Sequence, residues 1–154
     1  MIADQENTFI HMKASQEFPS VAPAAAEDLK AIEEACRDYA SGWFTADAGR
    51  VRRALHPDLV KRTIWCDVQE IKMQVGNTLT TDAMLGYTRD GGGSGLQEYE
   101  KAYEVVILDV FRDIASAKVS SYLYMDYLHL AKIEGRWWIL NCLYEVRQGE
   151  QNHP

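Results

Sequence analysis

The sequence predicts a single α+β domain in which helices come first and a largely antiparallel sheet follows, and three observations carry that prediction. Apolar residues recur at helical spacing over residues 27–44, and long, alternating, aromatic-rich runs fill the second half. The stretch 126–144, DYLHLAKIEGRWWILNCLY, sets two such runs on either side of Glu134-Gly135, the signature of a β-hairpin. Helices segregated from strands that are joined by short turns make an α+β domain and not a βαβ layer structure. A chain of 154 residues fits one domain. A domain of that size buries roughly 68–70% of the surface its unfolded chain exposes, so it needs no disulfide staple. The expected division is an extension over 1–26, the domain over 27–147 and a tail over 148–154.

Composition narrows the class. With 47% hydrophobic and 25% charged residues the chain is globular in character. A formal charge of −7 disfavours nucleic acid and anionic membrane as partners, since both reward a basic surface. The largest basic group is Arg50, Arg52 and Arg53. No apolar run approaches the ~18 residues of a membrane span. The start Met1-Ile2-Ala3-Asp4 has an early acid and no apolar core of a secretory signal, so the cytoplasm is the expected compartment. Cys36, Cys66 and Cys142 are odd in number, scattered and set in apolar patterns, which reads as buried free thiols. No histidine, cysteine or carboxylate group has metal-ligand spacing, and neither a metal nor another cofactor is expected.

The elements follow in order. Residues 1–26 read alone as a tail, with Phe9, Ile10 or Phe18 available as docking anchors. Leu29, Ile32, Cys36, Tyr39 and Trp43 then recur at spacings of 3, 4, 3 and 4, one face of an amphipathic helix with Glu27 and Asp28 in its first turn and Gly42 a weak point near its end. Asp47 caps a short second helix that Pro57 stops, placing His56 at the helix exit. Residues 59–68 alternate as a strand and 70–75 form a shorter one. Thr80 or Thr81 caps a third helix through Tyr87. Gly91-Gly92-Gly93-Ser94-Gly95 lacks the Lys-Ser/Thr of a phosphate loop and reads as a flexible connection. Long strands over 103–112 and 117–128 meet at a turn near Arg112-Asp113, and the last strand runs from 136 to about 147.

A two-residue turn at Glu134-Gly135 pairs Ile133 with Arg136, Leu130 with Ile139, Leu128 with Asn141 and Asp126 with Leu143. One face then holds Leu128, Leu130, Trp137 and Ile139 together with Asp126 and Asn141. A carboxylate and an amide on a buried face are hydrogen-bonded, solvated in a pocket, or displaced by a bulge. The tyrosines raise a second parity question. Counting back from Asp126 turns Tyr122 and Tyr124 inward, whereas Ala117 and Val119 prefer the opposite parity, and a bulge between them reconciles the two.

The element order resembles the nuclear transport factor 2-like superfamily, the cone-shaped α+β (cystatin-like) fold shared with SnoaL-like cyclases, ketosteroid isomerase and scytalone dehydratase. Tyr39-Ala40-Ser41-Gly42-Trp43, Asp47, Leu55-His56-Pro57-Asp58, Asp126-Tyr127-Leu128, Gly135-Arg136-Trp137 and Ile139-Leu140-Asn141 are similar to its "putative lumazine-binding" branch over residues 27–147. The resemblance implies a curved antiparallel sheet packed on three N-terminal helices around a pocket that the first helix closes, and a homodimer formed sheet to sheet. It brings Tyr39, Trp43 and His56 toward the cavity from the helices, and Asp126 and Asn141 from the sheet. Where ketosteroid isomerase keeps a catalytic aspartate this chain has Thr63, so that base is missing. The paired histidines of scytalone dehydratase are missing too, since His11 and His153 lie near the termini and His129 alternates away from Asp126.

The first expectation for function is therefore a small-molecule-binding domain whose pocket is dressed by Tyr39, Trp43, Tyr124 and Asn141. The second is a dehydratase or isomerase using Asp126 and His56 as an acid–base pair. A third is a dimerising interaction module working through the exposed sheet face. Asp126 also has a purely structural reading, as a hydrogen-bond partner of Asn141, Tyr39 or a backbone amide.

Overall fold

The helical periodicity of residues 27–44 appears as α1 (Ala26–Phe44), which buries Ile32, Ala35, Cys36, Tyr39, Ala40 and Phe44 on one side. In this computed structural model, which describes residues 20–67 and 69–147, the first turn of α1 is fastened to the far end of the sheet. Asp28 Oδ1 accepts hydrogen bonds from Trp137 Nε1 (2.8 Å) and Lys132 Nζ (2.9 Å). Those two donors, led by the Trp137 bond, hold the Asp28 carboxyl below its ordinary pKa. The anchors expected at Phe9, Ile10 and Phe18 and the tail after Arg147 lie outside the described residues.

Asp47 caps α2 (Ala48–Ala54) by accepting from the Arg50 amide at 3.0 Å. Asp38 of α1 clamps the two helices by accepting from Arg50 Nε at 2.9 Å and Arg53 Nε at 3.2 Å. Gly42, which reads from the sequence as a weak point, is a contact point instead. A Cβ there would stand 2.7 Å from Val51 Cγ2 and 2.9 Å from the Val51 amide nitrogen. Only a residue without a side chain lets α2 approach so closely.

The second helix ends at Ala54, before Pro57 is reached, and the chain passes directly into β1 (Leu55–Asp67). β2 (Lys72–Val75) follows, then α3 (Thr81–Arg89) with Thr80 as its cap. The glycine run after α3 is packed and not a free connection. Gly93 N donates to the Trp43 carbonyl at 3.0 Å, and a Cβ on Gly92 would lie 2.6 Å from that same oxygen. A short 3-10 turn (Glu98–Lys101) leads to β3 (Tyr103–Phe111), β4 (Ile114–Ser121), β5 (Tyr124–Ile133) and β6 (Arg136–Val146).

The six strands form one sheet in the order β2-β1-β6-β5-β4-β3. Every neighbour pair is antiparallel except β1 and β6, which run parallel. Extra residues interrupt β3 at Leu108 and β6 at Leu140, in adjacent rows of the sheet, so the two bulges crease it along one line. The concave side lies against the helices, and the core fills with Ile32, Val51, Leu55, Leu85, Val119, Leu128, Leu130 and Ile139.

The hairpin turn is as the sequence predicts. Glu134 (φ 51°) and Gly135 (φ 77°) are both left-handed, and Ile133 faces Arg136 and Leu130 faces Ile139. Beyond them the bulge at Leu140 shifts the register by one. Asn141 pairs with His129, Cys142 with Leu128 and Tyr144 with Asp126, so Asn141 turns outward while Cys142 and Tyr144 turn in. The tyrosine parity is resolved by a turn at Tyr122-Leu123 and not by a bulge. Ser121 Oγ receives the Tyr124 amide at 3.1 Å there, and the expected single strand becomes β4 and β5.

Gly42→Ala is expected to destabilise the domain even though alanine is the better helix former by about 1 kcal/mol. Overpacking against the Val51 backbone costs roughly 1–3 kcal/mol, which lowers Tm by about 2–4 °C per kcal/mol at this size. A melting curve checks the sign.

Candidate functional site

Alternation along β1 turns Leu59, Lys61 and Thr63 to the concave side, and all three are buried. Lys61 pairs in the parallel register with Cys142 of β6, and Asp126 of β5 pairs with Tyr144, the next inward residue along β6. The Lys61 side chain therefore crosses β6 to reach Asp126, passing 4.2 Å from the centre of the Tyr144 ring.

Lys61 Nζ lies 3.2 Å from Asp126 Oδ1. Tyr39, arriving from α1, donates its hydroxyl to the same Oδ1 at 2.8 Å and accepts a hydrogen bond from Lys61. Cys142 Sγ donates to that oxygen at 3.4 Å. Lys61 and Asp126 each keep only 6% of their surface exposed, so the ion pair is out of bulk water. All of these contacts fall on Oδ1, and Oδ2 accepts no hydrogen bond from the described residues. Asp126 lines a cavity, and among the described residues no sealed polar side-chain atom lacks a partner. Oδ2 therefore opens onto the cavity.

Burial is the largest influence on the Lys61 ammonium and disfavours it, but the Asp126 charge, then Cys142 and Tyr144 and the Asp126 hydrogen bond, together hold its pKa above the ordinary lysine value. Burial, and then the Asp126 charge, push the Tyr39 phenol well above its usual value. Burial pushes the Cys142 thiol up to about 12, with Lys61 pulling the other way. At neutral pH Tyr39 and Cys142 stay protonated and Lys61 stays charged.

The cavity measures about 220 Å³ and lies between α1, α3 and the curved sheet. Trp43 and Phe44 of α1, Met84 and Tyr87 of α3, and Tyr124, Tyr144 and Val146 of the sheet form its walls, with Lys61 and Asp126 at its polar floor. Tyr124 and Tyr144 meet edge to face, with ring centres 6.3 Å apart. Of the residues expected at the site from sequence, Asp126, Tyr39, Trp43 and Tyr124 come together around this space.

His56 and Asn141 do not. Between Leu55 and Val60 the pairing of β1 with β6 slips, and His56-Pro57-Asp58 occupies the irregular stretch. His56 Nδ1 accepts from the Asp58 amide at 3.1 Å, and its ring stands edge-on to Trp138, 5.7 Å between centres. Asn141 is exposed and borders a groove on the convex face with His129 and Phe111. Thr63 is buried on the concave side of β1, facing Tyr144 across the parallel pair. Lys61 does not announce itself as a site residue in the sequence, because a lysine in a strand usually marks solvent. Its parity with Leu59 and Thr63 was the available signal. Among the described residues no three His, Cys, Asp or Glu side chains gather as a metal site.

The family model described as "putative lumazine-binding" matches residues 27–145. The chain belongs to that family. Its nuclear transport factor 2-like fold is shared with solved structures of low sequence identity. A nuclear transport factor 2-like protein of unknown function from Silicibacter pomeroyi superposes with TM-score 0.61 at 18% identity, over 81% of this chain and 100% of that one. A second, from Shewanella baltica, gives 0.61 at 19%, over 83% and 100%. A ketosteroid isomerase-like protein from Erwinia carotovora atroseptica gives 0.55 at 16%, over 81% and 100%. At these identities the likeness concerns the fold and not the chemistry. No curated protein matches the sequence.

Lys61→Met and Asp126→Leu made singly are each expected to destabilise the domain by about 3–5 kcal/mol, because each leaves a buried charge unpaired. The double variant is expected to recover most of that loss, because it removes both charges together. Chemical denaturation of the three variants checks this, and additive losses would contradict it.

Proposed function

We propose that this domain binds a small organic molecule in the cavity between α1, α3 and the curved sheet. The observation that supports the reading best is the cavity's make-up: aromatic and aliphatic walls over a buried, charge-balanced polar floor at Lys61 and Asp126. Apolar walls with a few convergent polar groups are what small-molecule sites present. The acid–base reading with Asp126 and His56 loses its support, because His56 is held by Asp58 and Trp138 and is not among the residues that line the cavity.

A second proposal concerns the convex face, where Val106, Lys118, Tyr127, Leu143 and Arg62 form one row across five strands. Tyr127 and Leu143 are each 51% exposed there, and Ile114 and Phe111 add further apolar surface. The proposal is that two copies associate through this face. Among the described residues no helix is long and apolar enough to cross a membrane. The described cysteines are free thiols, which agrees with the proposed cytoplasmic setting.

Thermal shift against a panel of aromatic and flavin-like compounds, lumazine included, tests the first proposal. A ligand at about a hundred-fold excess over its Kd raises Tm by on the order of 5–10 °C. Val146→Trp, which fills the cavity from its rim, is expected to abolish the shift. A flat response across the panel, or an unchanged shift in Val146→Trp, overturns the proposal. For the second, sedimentation at micromolar concentration is expected to give a dimer for the native chain and a monomer for Leu143→Lys.

A further inference from the structure

The floor of the cavity carries more than apolar preference, and its bonding is lopsided. Three donors, Tyr39, Lys61 and Cys142, converge on one oxygen of Asp126, while the other oxygen accepts no hydrogen bond from the described residues and opens onto the cavity. The residue keeps only 6% of its surface exposed, so this oxygen meets solvent through the cavity alone. A buried acceptor is stabilised when a ligand brings it a donor.

We infer that the site selects a neutral, planar aromatic ligand of one or two fused rings that donates an N–H or O–H to Asp126 Oδ2. This rests on the small-molecule reading above and adds the ligand's charge, shape and hydrogen-bond polarity. Charge follows from the ion pair. Lys61 already balances Asp126 at 3.2 Å, so a cationic ligand group at Oδ2 would crowd a second positive charge beside the ammonium. An anionic group would face the carboxylate and bring an uncompensated charge into a mostly apolar cavity. Shape follows from the walls. Trp43, Tyr87, Tyr124 and Tyr144 present aromatic surface on several sides, suited to offset or edge-on contacts with a ring. Size follows from the volume. About 220 Å³ is below the roughly 300–1,000 Å³ of drug-sized sites, which limits the enclosed part to one or two rings. Polarity follows from Asp126, a carboxylate that only accepts.

Indole and benzofuran test the polarity, because they share a planar bicyclic shape and neutral charge, and only indole offers an N–H. Calorimetric titration of the full chain is expected to show indole binding roughly ten-fold or more tighter than benzofuran, the scale of one hydrogen bond to a charged group. The Lys61→Met, Asp126→Leu double variant removes acceptor and counter-charge together and is expected to bind the two probes equally. Equal binding by the native chain, or a preference for indole that survives in the double variant, overturns the inference and leaves the cavity reading standing. Failure of both probes to bind the native chain overturns the inference and counts against the cavity reading as well.

Discussion

The buried pair of Lys61 and Asp126 is the interaction on which the interior depends. It joins β1 to β5 across β6, Cys142 of β6 donates to the same carboxylate and Tyr39 ties it to α1, so four elements meet at one oxygen. Two charges withdrawn from water carry a desolvation penalty that an apolar pair would avoid, and a buried ion pair is weak evidence for stability alone. What it does supply is direction. The attraction and the shared hydrogen bonds fix how the helix lies over the sheet, and they do so at the floor of a cavity where packing is incomplete. The Asp28 contacts with Trp137 and Lys132 repeat the arrangement at the other end of α1. The helix is thus held at both ends by carboxylates, one in its first turn and one reaching it from the sheet.

Much of the fold is legible in the sequence because it rests on local rules. The spacing of Ile32, Cys36 and Tyr39 marks the buried face of α1, although Leu29 at its start is exposed and Trp43 at its end is half-buried; Asp47 is a cap in sequence and in structure, Thr80 is the one of two candidate threonines that caps α3, and Glu134-Gly135 makes the turn that two left-handed residues require. The errors arise where a local rule has a non-local exception. Leu140 carries no mark of a bulge, since a bulge is set by how a curved sheet accommodates its neighbours. Through it Asn141 leaves the cavity side and Cys142 and Tyr144 enter. The conflict between the parity of Ala117 and Val119 and that of Asp126 was a real signal, but of a chain reversal at Tyr122-Leu123 that lacks glycine and proline.

The site divides the same way. Asp126, Tyr39, Trp43 and Tyr124 were visible because each stands out locally, as a charge on an apolar face or an aromatic at helical or strand spacing. Lys61 was hidden by its own chemistry, since the residue type argues for solvent and only its strand parity argues for burial. His56 drew attention through its place before Pro57. The slip in pairing that accommodates this proline carries His56 to Asp58 and Trp138 instead. A run such as Gly91-Gly92-Gly93 suggests freedom of movement, yet at Gly92 and Gly93 the lack of side chains serves the close approach to Trp43.

The bulge at Leu140 has a consequence for how this domain can vary. Strand β6 has one side in the cavity and the other on the convex face, and everything after Leu140 owes its facing to the ladder's skipping that residue. Taking Leu140 into the ladder would shift every later residue by one, bringing Asn141 and Leu143 inward and sending Cys142 and Tyr144 out. Deleting Leu140 would instead leave Asn141 opposite His129 and Cys142 opposite Leu128, with both surfaces intact. A shorter, straight β6 would thus keep the cavity and the outer face as they are, whereas straightening the strand at its present length would exchange them.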